Sequence, residues 1–297
     1  MGAAPSTAKE GKTMLKRFFC LAALTLLALF TWWVLWFMFM GALTGEGELL
    51  ATIGPALQIE EEQSAVWCLL PSWPTLQPLV QLLLDTPVFF AMFWNACKLV
   101  FPQLAGQLAV AAPAAWAFSK LRFPGRRALY AVYLVLMVLP FQITMVPNYL
   151  VLDKLGLMDT PFAVILPGVF SAFPVFIIKK GFDAVPQSLL EAAALDGAGP
   201  LRCFFLVGLP LGLPAILSAA TLGFIEAWNA IEQPMMFLQD KSNWPLSLYL
   251  SNITVEDLGL AMVASLMMLA PPLLLFMVGR KYLEGGIGLS GQLNDGM

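Results

Sequence analysis

Within an apolar stretch from Val207 to Ile231, and just past its end, Glu226, Asn229 and Gln233 recur at intervals of three and four residues. That spacing sets them on one helical face, with Trp228 and Glu232 beside them. A carboxylate and two amides offer acceptors to hydroxyl donors, and an indole offers a flat apolar face, a set that suits a sugar. Polar groups at membrane depth are costly and mark solute paths by default. The competing reading is that they bond to a neighbouring subunit or meet water at the outer end of the helix. Gln142 and Asn148 repeat the pattern more sparsely.

Covalent or metal-assisted catalysis finds little support. The chain has no histidine, and Cys20, Cys68, Cys97 and Cys203 show no CxxC or metal-ligand spacing, which argues against a zinc site, a Ser-His-Asp triad or a thiol-imidazole pair. No two carboxylates are placed around a defined pocket as glycoside hydrolysis requires. Gly11-Lys12-Thr13 is the ending of a phosphate-binding loop, but the glycine needed five residues earlier is Ser6. The chain itself is therefore expected neither to bind nor to hydrolyse ATP.

The elements that must position these residues are membrane spans. The 297 residues are 59% hydrophobic and only 12% charged, with a mean hydropathy of +0.79, whereas soluble chains are about 25% charged. The first apolar run, Phe18 to Met40, exceeds the roughly 7 to 15 residues of a signal-peptide core, so an uncleaved span is expected, cleavage near Gly41 to Thr44 being the alternative. Further spans are expected at about Asn95 to Phe118, Leu129 to Tyr149, Pro161 to Ile178, Val207 to Ile231 and Leu258 to Val278. With the N-terminus inside, thirteen of the sixteen Lys and Arg residues fall on the cytoplasmic side, leaving Lys98, Lys154 and Lys241 outside. Basic residues concentrate on the cytoplasmic face of membrane proteins, which supports six spans in this orientation.

Between the first two spans, Gly41 to Pro87 forms a longer external stretch with Glu60, Glu61 and Glu62 and the run Pro71-Ser72-Trp73-Pro74. Trp73 and Trp94 are candidate interfacial anchors. The glutamates read as a solvated loop before a surface for a basic partner. Whether Cys68 and Cys97 pair is open.

The cytoplasmic connection between the fourth and fifth spans, residues 183–205, departs from its apolar surroundings. Asp183 is a candidate N-cap or pre-cap and Pro186 suits a first helical turn. A helix-forming run through Leu189, Ala192, Ala193 and Leu195 follows. Gly197 can take the left-handed C-terminal position, and Pro200 can open a second short helix toward Phe204 and Phe205. Two short helices joined by a bend are expected.

Glu191-Ala192-Ala193, then Gly197, Val207 and Leu209-Pro210, resembles the EAA signature of permease subunits in binding-protein-dependent ABC importers, with Val207 where isoleucine is usual. Ala117-Phe118-Ser119-Lys120-Leu121-Arg122-Phe123-Pro124-Gly125, Pro140-Phe141-Gln142, Leu155-Gly156-Leu157, Trp228-Asn229 and Gly285-Gly286-Ile287 occur in matching order. They narrow the resemblance to carbohydrate permeases similar to the second membrane subunit of maltose-type transporters, over roughly Asn95 to Leu289.

The resemblance implies an all-α membrane protein with six transmembrane helices and a cytoplasmic two-helix EAA coupling loop. Its parts would be a cytoplasmic tail (1–17), the first helix (18–40), an external loop with an interfacial helix (41–94), the permease core (95–281, coupling loop 183–205) and a cytoplasmic C-terminal tail (282–297). ATPase docking is implied for Glu191, Ala192, Ala193, Asp196 and Gly197. Expected partners are a cytoplasmic ABC ATPase dimer carrying ATP and Mg, a second homologous permease subunit, an extracellular or periplasmic solute-binding protein and the lipid bilayer. No nucleic acid partner and no cofactor in this chain are expected. The location implied is the cell (inner) membrane with both termini cytoplasmic. A self-sufficient ion-coupled secondary transporter using Glu226 is the alternative, disfavoured because no internal repeat is visible.

Overall fold

A computed structural model describes residues 6–57, 70–254 and 257–292. Helices follow in the order α1 (Ser6–Ala42), α2 (Glu46–Thr52), α3 (Gly54–Leu57), α4 (Gln77–Val80), α5 (Pro87–Lys120), α6 (Arg126–Val138), α7 (Phe141–Lys154), α8 (Pro161–Val169) and α9 (Phe173–Asp183). After them come α10 (Gln187–Leu195), α11 (Pro200–Cys203), α12 (Leu209–Trp228), α13 (Glu232–Phe237) and α14 (Leu258–Gln292). No strand occurs among the described residues. Among the described residues five segments are long and apolar enough to cross a bilayer, and six when the bent pair α6 and α7 is taken as one span. Glu60 to Glu62 and Cys68 lie outside the described residues.

The chain divides into two compact units, residues 1–86 with 253–267, and residues 87–252 with 268–297. In the first unit the apolar span of α1 from Lys16 to Ala42 is exposed along most of its length, with Gly41 and Ala42 buried at its end. Such a helix is solvated by lipid. The stretch after α1 is held by the backbone bond from Thr75 N–H to the Leu43 carbonyl at 2.8 Å and by the Glu48 carboxylate accepting from Ser72 N–H at 2.8 Å. Thr86, preceding Pro87, is pushed out of the helical region (φ −119°, ψ 76°), and α5 starts at Pro87, so Trp94 belongs to α5 rather than to the loop. Trp73 is 84% exposed.

In the second unit α5 packs on α8, α9 and α12. Ala111, Ala112 and Ala115 of α5 and Ala219 of α12 keep the helices close around Trp116, Ile178, Phe182 and Phe204. Gly181 and Gly212 matter most: a Cβ at Gly181 would collide with Ala215, and one at Gly212 with the Phe182 ring. Small residues at helix contacts are how spans pack without a hydrophobic driving force between them. A π-turn over Phe204–Gly208 joins α11 to α12, just before Pro210, whose ring removes one backbone donor and crowds the preceding turn.

The expected straight span from Leu129 to Tyr149 is instead broken. Helices α6 and α7 turn through 103° across Leu139 and Pro140, both extended (ψ 125° and 147°). Pro140 forbids its predecessor the helical region, which forces the corner. The segment 282–292, expected as a tail, continues α14 as helix.

Candidate functional site

The loop between α9 and α12 contains the two short helices expected. Gly197 sits at φ +82°, Ala198 N–H donates to the Ala193 carbonyl at 2.9 Å and Gly197 N–H to the Ala194 carbonyl at 3.0 Å. This pair of bonds is the Schellman closure of a helix C-terminus. Gly199 caps α11 and Pro200 opens it. Two details differ from expectation. Pro186 is the N-cap of α10 rather than part of its first turn. Asp183 caps nothing in α10: it ends α9, where its carboxylate accepts from Ser119 Oγ at 2.6 Å and pairs with Lys179 Nζ at 2.6 Å. Alongside, Lys120 Nζ donates to the Val185 carbonyl at 2.7 Å. The end of α5 is thus tied to the entrance of the loop.

The loop has an anchored face and a bare one. Leu190, Ala193 and Ala198 pack against the cluster containing Trp116, Phe182 and Phe204, whose rings meet at centroid distances of 5.2 to 6.3 Å. Glu191, Ala192, Asp196 and Gly197 are exposed, as are Leu195 (89%) and Leu201 (74%). Ala193, expected beside Ala192 on the outward face, instead turns inward, because one residue along a helix is a rotation of about 100°. Leu195, four residues from Glu191, joins the outward face; its position on the same helical stripe was readable from spacing.

At the other end of α12 a cavity of about 590 Å³ opens, lined by Gln103, Gln107, Phe141, Thr144, Asn148, Ser171, Glu226, Asn229, Glu232 and Gln233 among others. That is within the range of small-molecule sites. Three interruptions of helix face it: Leu139 to Phe141 between α6 and α7, Ser171 between α8 and α9, and Asn229 to Ile231 between α12 and α13. Irregular backbone is tolerated at membrane depth where it lines a wet cavity or is buried in protein. Gln107 Nε2 donates to the Gly168 carbonyl at 3.1 Å, near the end of α8. Gln142 Nε2 donates to both Glu232 oxygens, at 2.9 and 3.0 Å, and Asn229 Nδ2 closes α12 on the Ile225 carbonyl at 2.8 Å.

Four of the five expected path residues, Glu226, Asn229, Glu232 and Gln233, therefore line one cavity. Trp228 does not. It is 3% exposed, stacked on Phe224 at 5.4 Å and edge-on to Phe93, with its indole N–H donating to the Met268 carbonyl at 3.1 Å. Two residues past Glu226 is about 200° around the helix, so the indole faces the protein. Gln103, Gln107, Thr144 and Ser171 were missed. The first two stand four apart in an apolar helix, the same signal that singled out Glu226 and Asn229.

Residues 107–288 match the family described as binding-protein-dependent transport system inner membrane component. A probable ABC transporter permease protein of Pyrococcus horikoshii is 32% identical over 254 residues, 82% of this chain and 90% of that protein. The lactose transport system permease protein LacG of Rhizobium radiobacter is 28% identical over 208 residues, 69% of this chain and 75% of that one. The diacetylchitobiose uptake system permease protein NgcG of Streptomyces coelicolor is 30% identical over 202 residues, 66% and 67% of the two chains. The fold matches a bacterial ABC transporter involved in the import of the acidic polysaccharide alginate with a TM-score of 0.75, over 95% of this chain and 99% of that chain, at 22% identity. The family match begins at the cavity residue Gln107 and runs through the closed loop at Gly197 into α14, and the chain belongs to the binding-protein-dependent transport system inner membrane components, the permease subunits of ABC importers, whose ATPase is a separate subunit.

Proposed function

We propose that this permease carries a sugar or oligosaccharide through the cavity at the α12–α13 junction, and that the loop from Gln187 to Cys203 docks a separate cytoplasmic ATPase dimer. A second homologous permease completes the path and a solute-binding protein delivers the cargo from outside, with both termini of this chain cytoplasmic. ATP and Mg act on the ATPase, not here.

The observation that carries the reading is the two-faced loop. Leu190 and Ala193 fasten it to the core of the second unit, while Leu195 stands 89% exposed beside Glu191 and Ala192. A closed, core-anchored helix that presents Leu195 beside Glu191 and Ala192 offers a partner one apolar and one polar contact. Sugar as cargo is supported by the cavity's amides and carboxylates and by relatives whose names specify lactose and diacetylchitobiose.

The test is co-purification and uptake. In liposomes holding the complete importer, Glu191→Ala is expected to lower both the ATPase retained on the permease and ATP-driven sugar uptake. If both match the parent protein, the docking assignment is wrong. Uptake by this chain alone, driven by an ion gradient and indifferent to ATP, would replace the whole reading with an ion-coupled transporter.

A further inference from the structure

The cavity wall contributed by this chain has a sign. Two carboxylates, Glu226 and Glu232, line it, and no lysine or arginine among the described residues does. Gln142 is the bonding partner of Glu232, and a neutral amide leaves that charge uncancelled. The remaining polar lining includes Gln103, Asn148, Thr144 and Asn229, all neutral. Phe141 and Phe173 add ring faces to the same wall, suited to the C–H face of a sugar.

Charges gathered in a cleft with low-dielectric walls focus their field into it. A cargo carboxylate or phosphate entering would meet two carboxyl groups with no basic group of this wall to offset them. Building repulsion against the wrong partner is as effective for selectivity as adding contacts to the right one. Resting on the sugar reading above, we infer that this chain acts as a charge filter: its cargo is an uncharged, hydroxyl-rich glycoside, and uronates and sugar phosphates are rejected at the cavity formed by Glu226 and Glu232. The likeness to an alginate importer, at 22% identity, is one of fold.

The field can be read directly in the complete importer. Asn229→Cys places a thiol in the cavity and keeps both carboxylates. Its reaction rates with a cationic (trimethylammonium) and an anionic (sulfonate) methanethiosulfonate are compared with the same ratio for a free thiol, above the background of the native cysteines. The cationic reagent is expected to be favoured at least tenfold beyond the free-thiol ratio, and adding Glu226→Gln and Glu232→Gln should bring the ratio back toward that of the free thiol. A ratio at or below the free-thiol value in the parent background means that the partner permease supplies the missing positive charge, and overturns the filter.

A second arm separates the filter from the reading beneath it. ATP-driven uptake is measured with neutral oligosaccharides and their uronic acid counterparts, with the binding protein saturated in each case. Import of the neutral members alone supports the inference, and import of a uronate at an equal rate overturns it. A cationic preference at the introduced thiol with no sugar imported at all removes the sugar reading and leaves the negative cavity standing.

Discussion

Replacing Gly197 isolates how far the coupling loop depends on a single backbone conformation. At φ +82° a side chain other than glycine, or to a lesser degree asparagine, crowds the neighbouring backbone, a penalty of roughly 1–2 kcal/mol. Nothing lies within 4 Å of a Cβ built at this position, so packing adds nothing and the whole cost is conformational. Helix α10 has nine residues and none is fully buried; the half-buried Leu190 and Ala193 are its hold on the core, so only limited tertiary energy opposes that cost. A penalty of this size corresponds to about a 5- to 30-fold change in population, and a partner that recognises only the closed loop sees its affinity fall in proportion. In the complete importer, titrating the ATPase against the membrane subunits should therefore give an apparent Kd about 5- to 30-fold weaker for Gly197→Ala. Gly197→Asn should lie close to the parent, and Gly197→Val should be the weakest of the three. Uptake at limiting ATPase should follow the same order. An alanine variant that docks as well as the parent, or an asparagine variant worse than alanine, refutes the argument.

Three further perturbations probe separate parts of the structure. Leu195→Ala should leave thermal unfolding of the detergent-solubilised complex unchanged, because the residue is 89% exposed, yet weaken ATPase retention, since full burial of a leucine is worth about 1.5–3 kcal/mol. Gly212→Ala inserts a Cβ into the Phe182 ring and should lower the unfolding temperature, at a cost of about 1–3 kcal/mol for an overpacked contact. Asp240 has its pKa lowered by hydrogen bonds from the Ser242 hydroxyl and backbone N–H. The carboxylate's contribution is present above the ordinary aspartate pKa and lost as acidification passes the lowered value, so the protection of the Ser242 amide, its exchange rate relative to the unprotected rate at the same pH, should fall on acidification in the parent but show no such step in Asp240→Asn.

Features fixed by neighbouring residues were legible in the sequence. The closure at Gly197 and the start at Pro200 depend on backbone preferences that act within a few positions, and both occur where expected. Pro186 was displaced by one, an ordinary uncertainty at a helix end. What failed depended on direction rather than on element. Trp228 and Ala193 were grouped with their sequence neighbours on a functional face, but a residue's facing turns by about 100° per step, and only tertiary packing fixes which phase meets the core. Asp183 looked like a cap because it precedes Pro186, yet Lys179 and Ser119 claim its carboxylate. The corner at Pro140 had a local cause in plain view. Its consequence did not, because whether a membrane helix kinks or breaks at proline depends on whether neighbours or water take up the freed backbone groups.

The two ends of α12 explain why a loop and a cavity belong to one device. Its N-terminal end continues from α11 through the π-turn, where Phe204 is wedged with Trp116 and Phe182. Its C-terminal end carries Glu226 and, at the cap, Asn229. Twenty residues at 1.5 Å each span about 30 Å, close to the hydrocarbon thickness of a bilayer. Gly212 and Gly181 let α12 and α9 approach so closely that an added Cβ at either would strike Phe182 or Ala215. Packed elements of this kind move as units rather than by bending. If the loop docks an ATPase as proposed, a displacement imposed at Leu195 and Glu191 would be carried along α12 toward Glu226, and the carboxylates at the cavity would move with it.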